Sequence, residues 1–95
     1  MGKKKKIESE EITQIRKAVE GDSAVIGTKR TLKGIRAGDV ASVYITKNVP
    51  TYVKEDLHHF CETAEIQLVE LDITNKELGV VCKKPFLISV LSVKK

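Results

Sequence analysis

A short basic stretch at residues 27–33, GTKRTLK, carries the residue types best suited to binding a polyanion. Gly27 begins it, and Lys29, Arg30 and Lys33 follow closely. If the stretch opens a helix, the unpaired N–H groups and the positive end of the helix dipole lie beside these cations. Because glycine has no Cβ, a ligand backbone can approach there, and phosphate binding is the chemistry that follows. Spacing alone leaves a solvated basic helix face as the alternative.

Other kinds of chemistry are not indicated. The stretch lacks the GxxxxGK[ST] pattern of a P-loop and the GxGxxG pattern of a dinucleotide site. His58 and His59 are predicted to lie on the exposed side of a helix, and a structural zinc site would need four ligands. No serine–histidine–aspartate or paired-carboxylate arrangement stands out. We therefore predict no catalytic residue, no metal and no cofactor, and a protein that is not an enzyme.

Two other stretches could extend a binding surface. Residues 48–50, NVP, place the amide side chain of Asn48 in a loop, and residues 83–86, KKPF, place an aromatic ring beside two lysines. A ring in such a loop can stack on an unstacked RNA base. The alternative is that Phe86 is the first core residue of the strand that follows.

The elements that must position these residues alternate between helix and strand. Apolar periodicity, glycines, a helix cap at Ser9 and a capping box formed by Thr74 and Glu77 are the local signals of the elements. They predict helices at 9–20, 28–37, 51–64 and 74–82, and strands at 23–26, 40–47, 66–71 and 86–93. Strict alternation predicts an α/β fold, a three-layer α/β/α sandwich in which a single four-stranded mixed sheet carries helices on both faces. In this topology the 27–33 turn and the two loops lie at one end of the sheet.

The helical periodicity also predicts which side chains are buried. On the second helix, Thr28, Leu32 and Ile35 are expected to face the core, and Lys29, Lys33 and Arg36 to form an exposed stripe. On the third helix, the expected apolar stripe consists of Val53, Leu57, Phe60, Cys61 and Ala64.

Composition and charge agree with a small binding protein. The chain has 95 residues and a net charge of +4, which favours one domain. Between residues 27 and 54 there are six cations and one acid, so the positive charge is segregated. Cys61 and Cys82 are far apart and no long apolar run is present, which predicts a reduced, soluble, cytoplasmic protein. We expect a basic, flexible tail at residues 1–8 and a single RNA-binding domain at residues 9–95.

Three segments together are similar to a known family. VIGTKRTLKGIRAG, NVPTYVKEDL and ELGVVCKKPFLISVLSV, at residues 25–38, 48–57 and 77–93, resemble the L30e family of archaeal and eukaryotic large-subunit ribosomal proteins. That family belongs to the kink-turn RNA-binding superfamily. The pattern G-x-K-x-T-x-K, then N-x-P, then E-L-G-x-x-x-x-K-x-F is specific as a set, and the resemblance covers nearly the whole chain from about residue 9.

The resemblance implies a structural constituent of the large ribosomal subunit that binds and stabilises a kink-turn in ribosomal RNA. It implies ribosomal RNA and other ribosomal proteins as partners, no membrane and no small-molecule substrate. The implied RNA contacts are Gly27, Thr28, Lys29, Arg30, Lys33, Asn48, Val49, Lys84 and Phe86. The alternatives are a kink-turn protein of another ribonucleoprotein particle, such as a guide-RNA particle, and a protein–protein adaptor on the same fold.

One position departs from the family pattern. The family commonly has glycine where this chain has Lys83. A lysine adds charge but loses easy access to positive φ, so the path of the 82–86 loop stays open at this point.

Overall fold

The computed structural model describes residues 10–95. The predicted basic tail at residues 1–8 and the predicted helix cap at Ser9 lie outside that range. Within these residues four helices and four strands alternate, in the order α1 Glu10–Glu20, β1 Ala24–Ile26, α2 Thr28–Ala37, β2 Val40–Ile45, α3 Thr51–Ala64, β3 Gln67–Glu70, α4 Asn75–Val81 and β4 Val90–Lys94. No helix in the described part is long and apolar enough to span a membrane.

The four strands form one mixed sheet, which confirms the predicted fold class. Their order across the sheet is β1-β4-β2-β3. Strand β4 runs antiparallel to both β1 and β2, whereas β2 and β3 are parallel. The C-terminal ends of β1, β2 and β3 therefore meet the N-terminal end of β4 at one edge of the sheet, which we call the loop edge.

Helices cover both faces of the sheet, as predicted for three layers. On one face, α1 and α4 contribute buried side chains such as Ile15 and Leu78 to a cluster that includes Leu91 of β4. On the other face, α2 and α3 contribute Ile35 and Leu57 to a second cluster around β2. Because apolar side chains of the sheet point to both faces, both helical layers are held by burial of apolar surface.

Two details of the predicted helix faces are wrong. Thr31, which was not predicted to face the core, lies fully buried near Ile35 on α2, whereas Thr28 is half-buried; the buried Thr31 hydroxyl is satisfied because it donates to the Ser92 hydroxyl of β4 at 3.2 Å. Ala64 is exposed, because α3 ends there and Glu65 takes the left-handed conformation that closes the helix. The buried positions Val53, Leu57 and Cys61 of α3 are as predicted.

The last strand begins later than predicted, at Val90 instead of Phe86. The segment before it bonds to α4, since the Lys84 N–H donates to the Gly79 carbonyl at 3.0 Å and the Ile88 N–H to the Asn75 carbonyl at 3.1 Å, whereas its last residue, Ser89, accepts the N–H of Thr46 just after β2. A Cβ on Gly79 would collide with the Phe86 carbonyl oxygen. Glycine at position 79 therefore allows the 84–89 segment to lie directly on α4.

Candidate nucleic-acid interface

The turn at 27–33, the loop after β2 and the segment that follows residues 83–86 are joined at the loop edge. The Gly27 N–H donates to the Val90 carbonyl at 3.0 Å, which ties the turn after β1 to the start of β4. The Thr46 N–H donates to the Ser89 carbonyl at 3.0 Å, which ties the loop after β2 to the segment before β4. The topology expected from the sequence thus brings the 27–33 turn and the 48–50 loop to one end of the sheet, next to the segment that follows residues 83–86.

Gly27 has the backbone geometry and the open space that a close ligand approach requires. Its φ of 111° and ψ of 150° lie where residues with a Cβ are strained. Its carbonyl accepts the Thr31 N–H at 3.1 Å and so starts α2. Apart from its two chain neighbours, no heavy atom of residues 10–95 lies within 4 Å of the position of a Cβ at Gly27, and no side chain caps the helix. The first N–H groups of α2 are therefore available to a phosphate.

The cations beside this turn differ in how far they are already engaged. Lys29, Arg30 and Lys33 are exposed, and in the described part of the chain none of them forms an ion pair. Arg36 instead lies with its guanidinium 6.0 Å from the centre of the Phe60 ring. Lys54 pairs with Glu70 at 2.9 Å. Lys29, Arg30 and Lys33 therefore place three unpaired positive charges on the first turns of α2, next to Gly27.

The loop after β2 holds Asn48 in a fixed orientation. The Asn48 carbonyl oxygen Oδ1 accepts the backbone N–H of Asn75 at 2.9 Å, and its Nδ2 donates to the Asn75 Oδ1 at 3.1 Å. Asn48 is exposed, and Asn75 is half-buried at the start of α4. Val49 is half-buried and packs against the cluster under α2 and α3, so it anchors the loop, and only part of it remains open to a ligand.

Phe86 stands outside both core clusters, with 53% of its surface exposed. The neighbouring Leu87 is 63% exposed, whereas Ile88 is buried. Lys84 is also exposed, so a cation and an apolar ring are presented together. The alternative assignment of Phe86 as the first core residue of the last strand is therefore wrong, because the strand starts later and the chain turns outward at this position.

Lys83 adopts a φ of 59°, the left-handed conformation. Its N–H donates to the Val80 carbonyl at 3.0 Å, so the residue ends α4 in the way that glycine commonly does. The loop thus keeps the backbone turn that glycine permits, and the lysine bears the conformational strain.

The acidic groups near the site are held by local partners. Thr74 and Glu77 form the predicted capping box at the start of α4, and the Thr74 N–H and hydroxyl lower the pKa of the Glu77 carboxyl. Hydrogen bonds from Lys54 and then from His58 lower the pKa of Glu70. These carboxylates are therefore ionised and locally paired. They leave the cations of α2 unneutralised.

The histidines and cysteines do not form a second site in the described part. His58 and His59 are exposed as predicted, and His58 Nε2 lies 3.1 Å from Glu70 Oε2. No cluster of histidine, cysteine and acidic side chains within residues 10–95 could hold a metal ion. Cys61 and Cys82 are free and buried, and burial raises the pKa of both thiols. They are packing residues with little thiolate character.

The sequence reasoning missed Asn75 as a member of the site. Its N–H and its side chain both bond to Asn48, its carbonyl accepts the Ile88 N–H, and its Nδ2 lies 3.5 Å from the Ser89 hydroxyl. The signal available in the sequence was the capping box, which fixed where α4 begins but not what its first residue contacts.

Comparison with known proteins gives relatives that are similar in sequence over most of this chain. Large ribosomal subunit protein eL30 of Methanocaldococcus jannaschii is 35% identical over 79 residues, which span 83% of this chain and 72% of that protein. The eL30 protein of Methanococcus vannielii is 38% identical over 79 residues, 83% of this chain and 75% of its own. These relatives are ribosomal proteins, which confirms the prediction of a non-enzymatic chain.

Solved structures with lower identity share the fold. A protein of unknown function from Bacillus halodurans C superimposes with a TM-score of 0.84 at 19% identity, covering 93% of this chain and 87% of its own. The Giardia lamblia 15.5kD RNA binding protein superimposes with a TM-score of 0.80 at 20% identity, covering 92% and 77%. A model of the ribosomal protein L7Ae/L30e/S12e/Gadd45 family matches residues 11–95, and this chain belongs to that family.

Proposed function

We propose that this protein is a structural component of the large ribosomal subunit that binds and stabilises a kink-turn in ribosomal RNA. The observation that carries the proposal is the loop edge itself. An open glycine turn with free cations and an oriented amide lie there, and an exposed aromatic ring stands in the segment that leads to it. A kinked RNA stem crowds phosphates and exposes unstacked bases, which are the features that proteins read on folded RNA.

Each candidate contact has a distinct proposed role. Gly27 and Thr28 present backbone N–H groups to a phosphate at the bend, and Lys29, Arg30 and Lys33 neutralise its neighbours. Asn48 donates a hydrogen bond to an RNA acceptor, and the exposed part of the half-buried Val49 contacts the RNA beside it. Lys84 contacts the phosphate backbone of the RNA, and Phe86 packs on an extruded base.

The relatives favour the ribosomal particle over the alternatives. The relatives cited above carry the name of a large ribosomal subunit protein, which supports ribosomal RNA as the partner and the cytoplasmic ribosome as the location. The adaptor alternative would need an apolar interface, whereas the loop edge is dominated by free cations. Sedimentation tests the particle directly, since the native protein should migrate with large subunits.

The basic turn provides the test of RNA binding. Replacing Lys29 and Lys33 by alanine should weaken binding to a kink-turn stem and reduce the slope of log affinity against log salt by roughly two units. The fold should be unaffected, because both side chains are exposed. The matched control replaces Lys17 and Lys94, two exposed cations outside the loop edge. An unchanged affinity and slope in the first variant would remove α2 from the interface.

A further inference from the structure

We infer that Asn75 is a positioning residue for RNA recognition, which holds the Asn48 amide with a free N–H outward and ties the Phe86 segment to the same helix end. The inference rests on the proposed RNA-binding function. Asn75 contacts both the loop at residues 48–50 and the segment at residues 84–89, which carry the proposed contacts Asn48 and Phe86.

The orientation of Asn48 follows from a donor that cannot be reversed. A backbone N–H only donates, so the side-chain atom 2.9 Å from the Asn75 nitrogen must be the Asn48 oxygen. Its Nδ2 then faces the Asn75 side chain at 3.1 Å, and Asn75 accepts with Oδ1. Neither amide can be flipped without placing two donors or two acceptors against each other.

This geometry decides what Asn48 offers to a ligand. The Nδ2 group carries two hydrogens, and one of them is used by Asn75. Within residues 10–95 the other hydrogen has no protein partner, and the pair is exposed. Asn48 therefore presents a donor, and the matching RNA group is an acceptor, such as a phosphate oxygen or a ring nitrogen or carbonyl of a base.

Asn75 also bonds to the segment that follows Phe86. Its carbonyl accepts the Ile88 N–H at 3.1 Å, two residues after Phe86. Its Nδ2 reaches towards the Ser89 hydroxyl at 3.5 Å, a long and weak contact. One residue thus fixes the Asn48 amide and the chain that follows Phe86, and the distance between the two proposed contacts depends on it.

A double-mutant cycle on RNA affinity tests the role. Asn75→Ala removes the acceptor for Asn48 Nδ2 but keeps all the backbone bonds, so binding to a kink-turn stem should weaken about three- to tenfold. In an Asn48→Ala background the same change should cost less than about twofold, because the amide that it positions is gone. Ser89→Ala is the matched control, and it should change affinity by less than about twofold because its contact is long.

A spectroscopic measurement separates positioning from general structure. In the free protein, Asn75→Ala should shift the side-chain amide resonances of Asn48 and leave the backbone resonances of the sheet in place, whereas Ser89→Ala should not shift them. Additive losses in the cycle, or unmoved Asn48 resonances, would overturn the role of Asn75 alone. Failure of the unaltered chain to prefer the kink-turn stem over a plain duplex would overturn the proposed function as well.

Discussion

Replacing Phe86 by alanine distinguishes a role in folding from a role in RNA recognition, because the two roles predict different losses of stability and of RNA affinity. Phe86 is 53% exposed and lies outside both core clusters. Full burial of such a side chain is worth about 1.5–3 kcal/mol, so covering about half of it predicts a loss in the free energy of unfolding of about 1 kcal/mol. A phenylalanine in a closed core would cost about 3–5 kcal/mol.

The same substitution should have its larger effect on RNA binding. Stacking of a base on an aromatic side chain contributes about 1–3 kcal/mol, which corresponds to a loss in affinity of about fivefold to 150-fold. The measurements are a denaturant midpoint and an equilibrium titration with a kink-turn stem. Val80→Ala is the control, since Val80 is an exposed apolar residue near the C-terminal end of α4, and it should leave affinity unchanged.

Two outcomes would contradict the proposed role of Phe86. A loss of about 3–5 kcal/mol in stability, with normal affinity in the fraction still folded, would return Phe86 to the core. An equal loss of affinity in Val80→Ala would show that RNA binding responds to exposed apolar surface in general and not to a ring at the loop edge.

Two further predictions concern stability. Lys83→Gly should raise the free energy of unfolding by about 0.5–1 kcal/mol in denaturant titrations, because relief of left-handed strain exceeds the entropy that glycine adds to the unfolded chain; a decrease would mean that the lysine side chain stabilises the loop. Glu70→Gln should flatten the acid side of the stability profile. The folded-state pKa of Glu70 is lowered, so its contribution to the free energy of unfolding is complete at neutral pH and is lost as pH falls through that pKa. Glu62→Gln, at an exposed position, is the control. An unchanged dependence of stability on pH in Glu70→Gln would contradict the prediction.

Glycine, proline and capping residues at helix ends made several elements predictable from the sequence. Helix α2 runs over the predicted residues because Gly27 and Gly38 bracket it, and both have positive φ. Helix α3 likewise follows Pro50, a residue that is favoured immediately before or at a helix start. The capping box at Thr74 fixed the start of α4 for the same reason, since side-chain bonds over three residues are visible in sequence.

The misses required information about distant contacts. The apolar run FLISVLSV is typical of one strand, yet its residue Ile88 bonds to α4 and its residue Phe86 lies against Gly79 of α4. No periodicity distinguishes a strand partner from a helix partner. Asn75 gained its role from Asn48, which is 27 positions away. The burial of Thr31 depended on Ser92, 61 positions away. Local patterns therefore located the proposed contacts but not the residue that joins them.

The topology itself contributes to the electrostatic character of the loop edge. Helices α2, α3 and α4 each follow a strand whose C-terminal end lies at that edge, so all three begin there and direct the positive ends of their dipoles to it. Helix α1 precedes β1 and is the helix with two acids in its first turn. The exposed Lys29, Arg30 and Lys33 then add full charges where the helix ends supply partial ones. Removing side chains alone should therefore weaken, but not abolish, the attraction of this edge for a phosphate backbone.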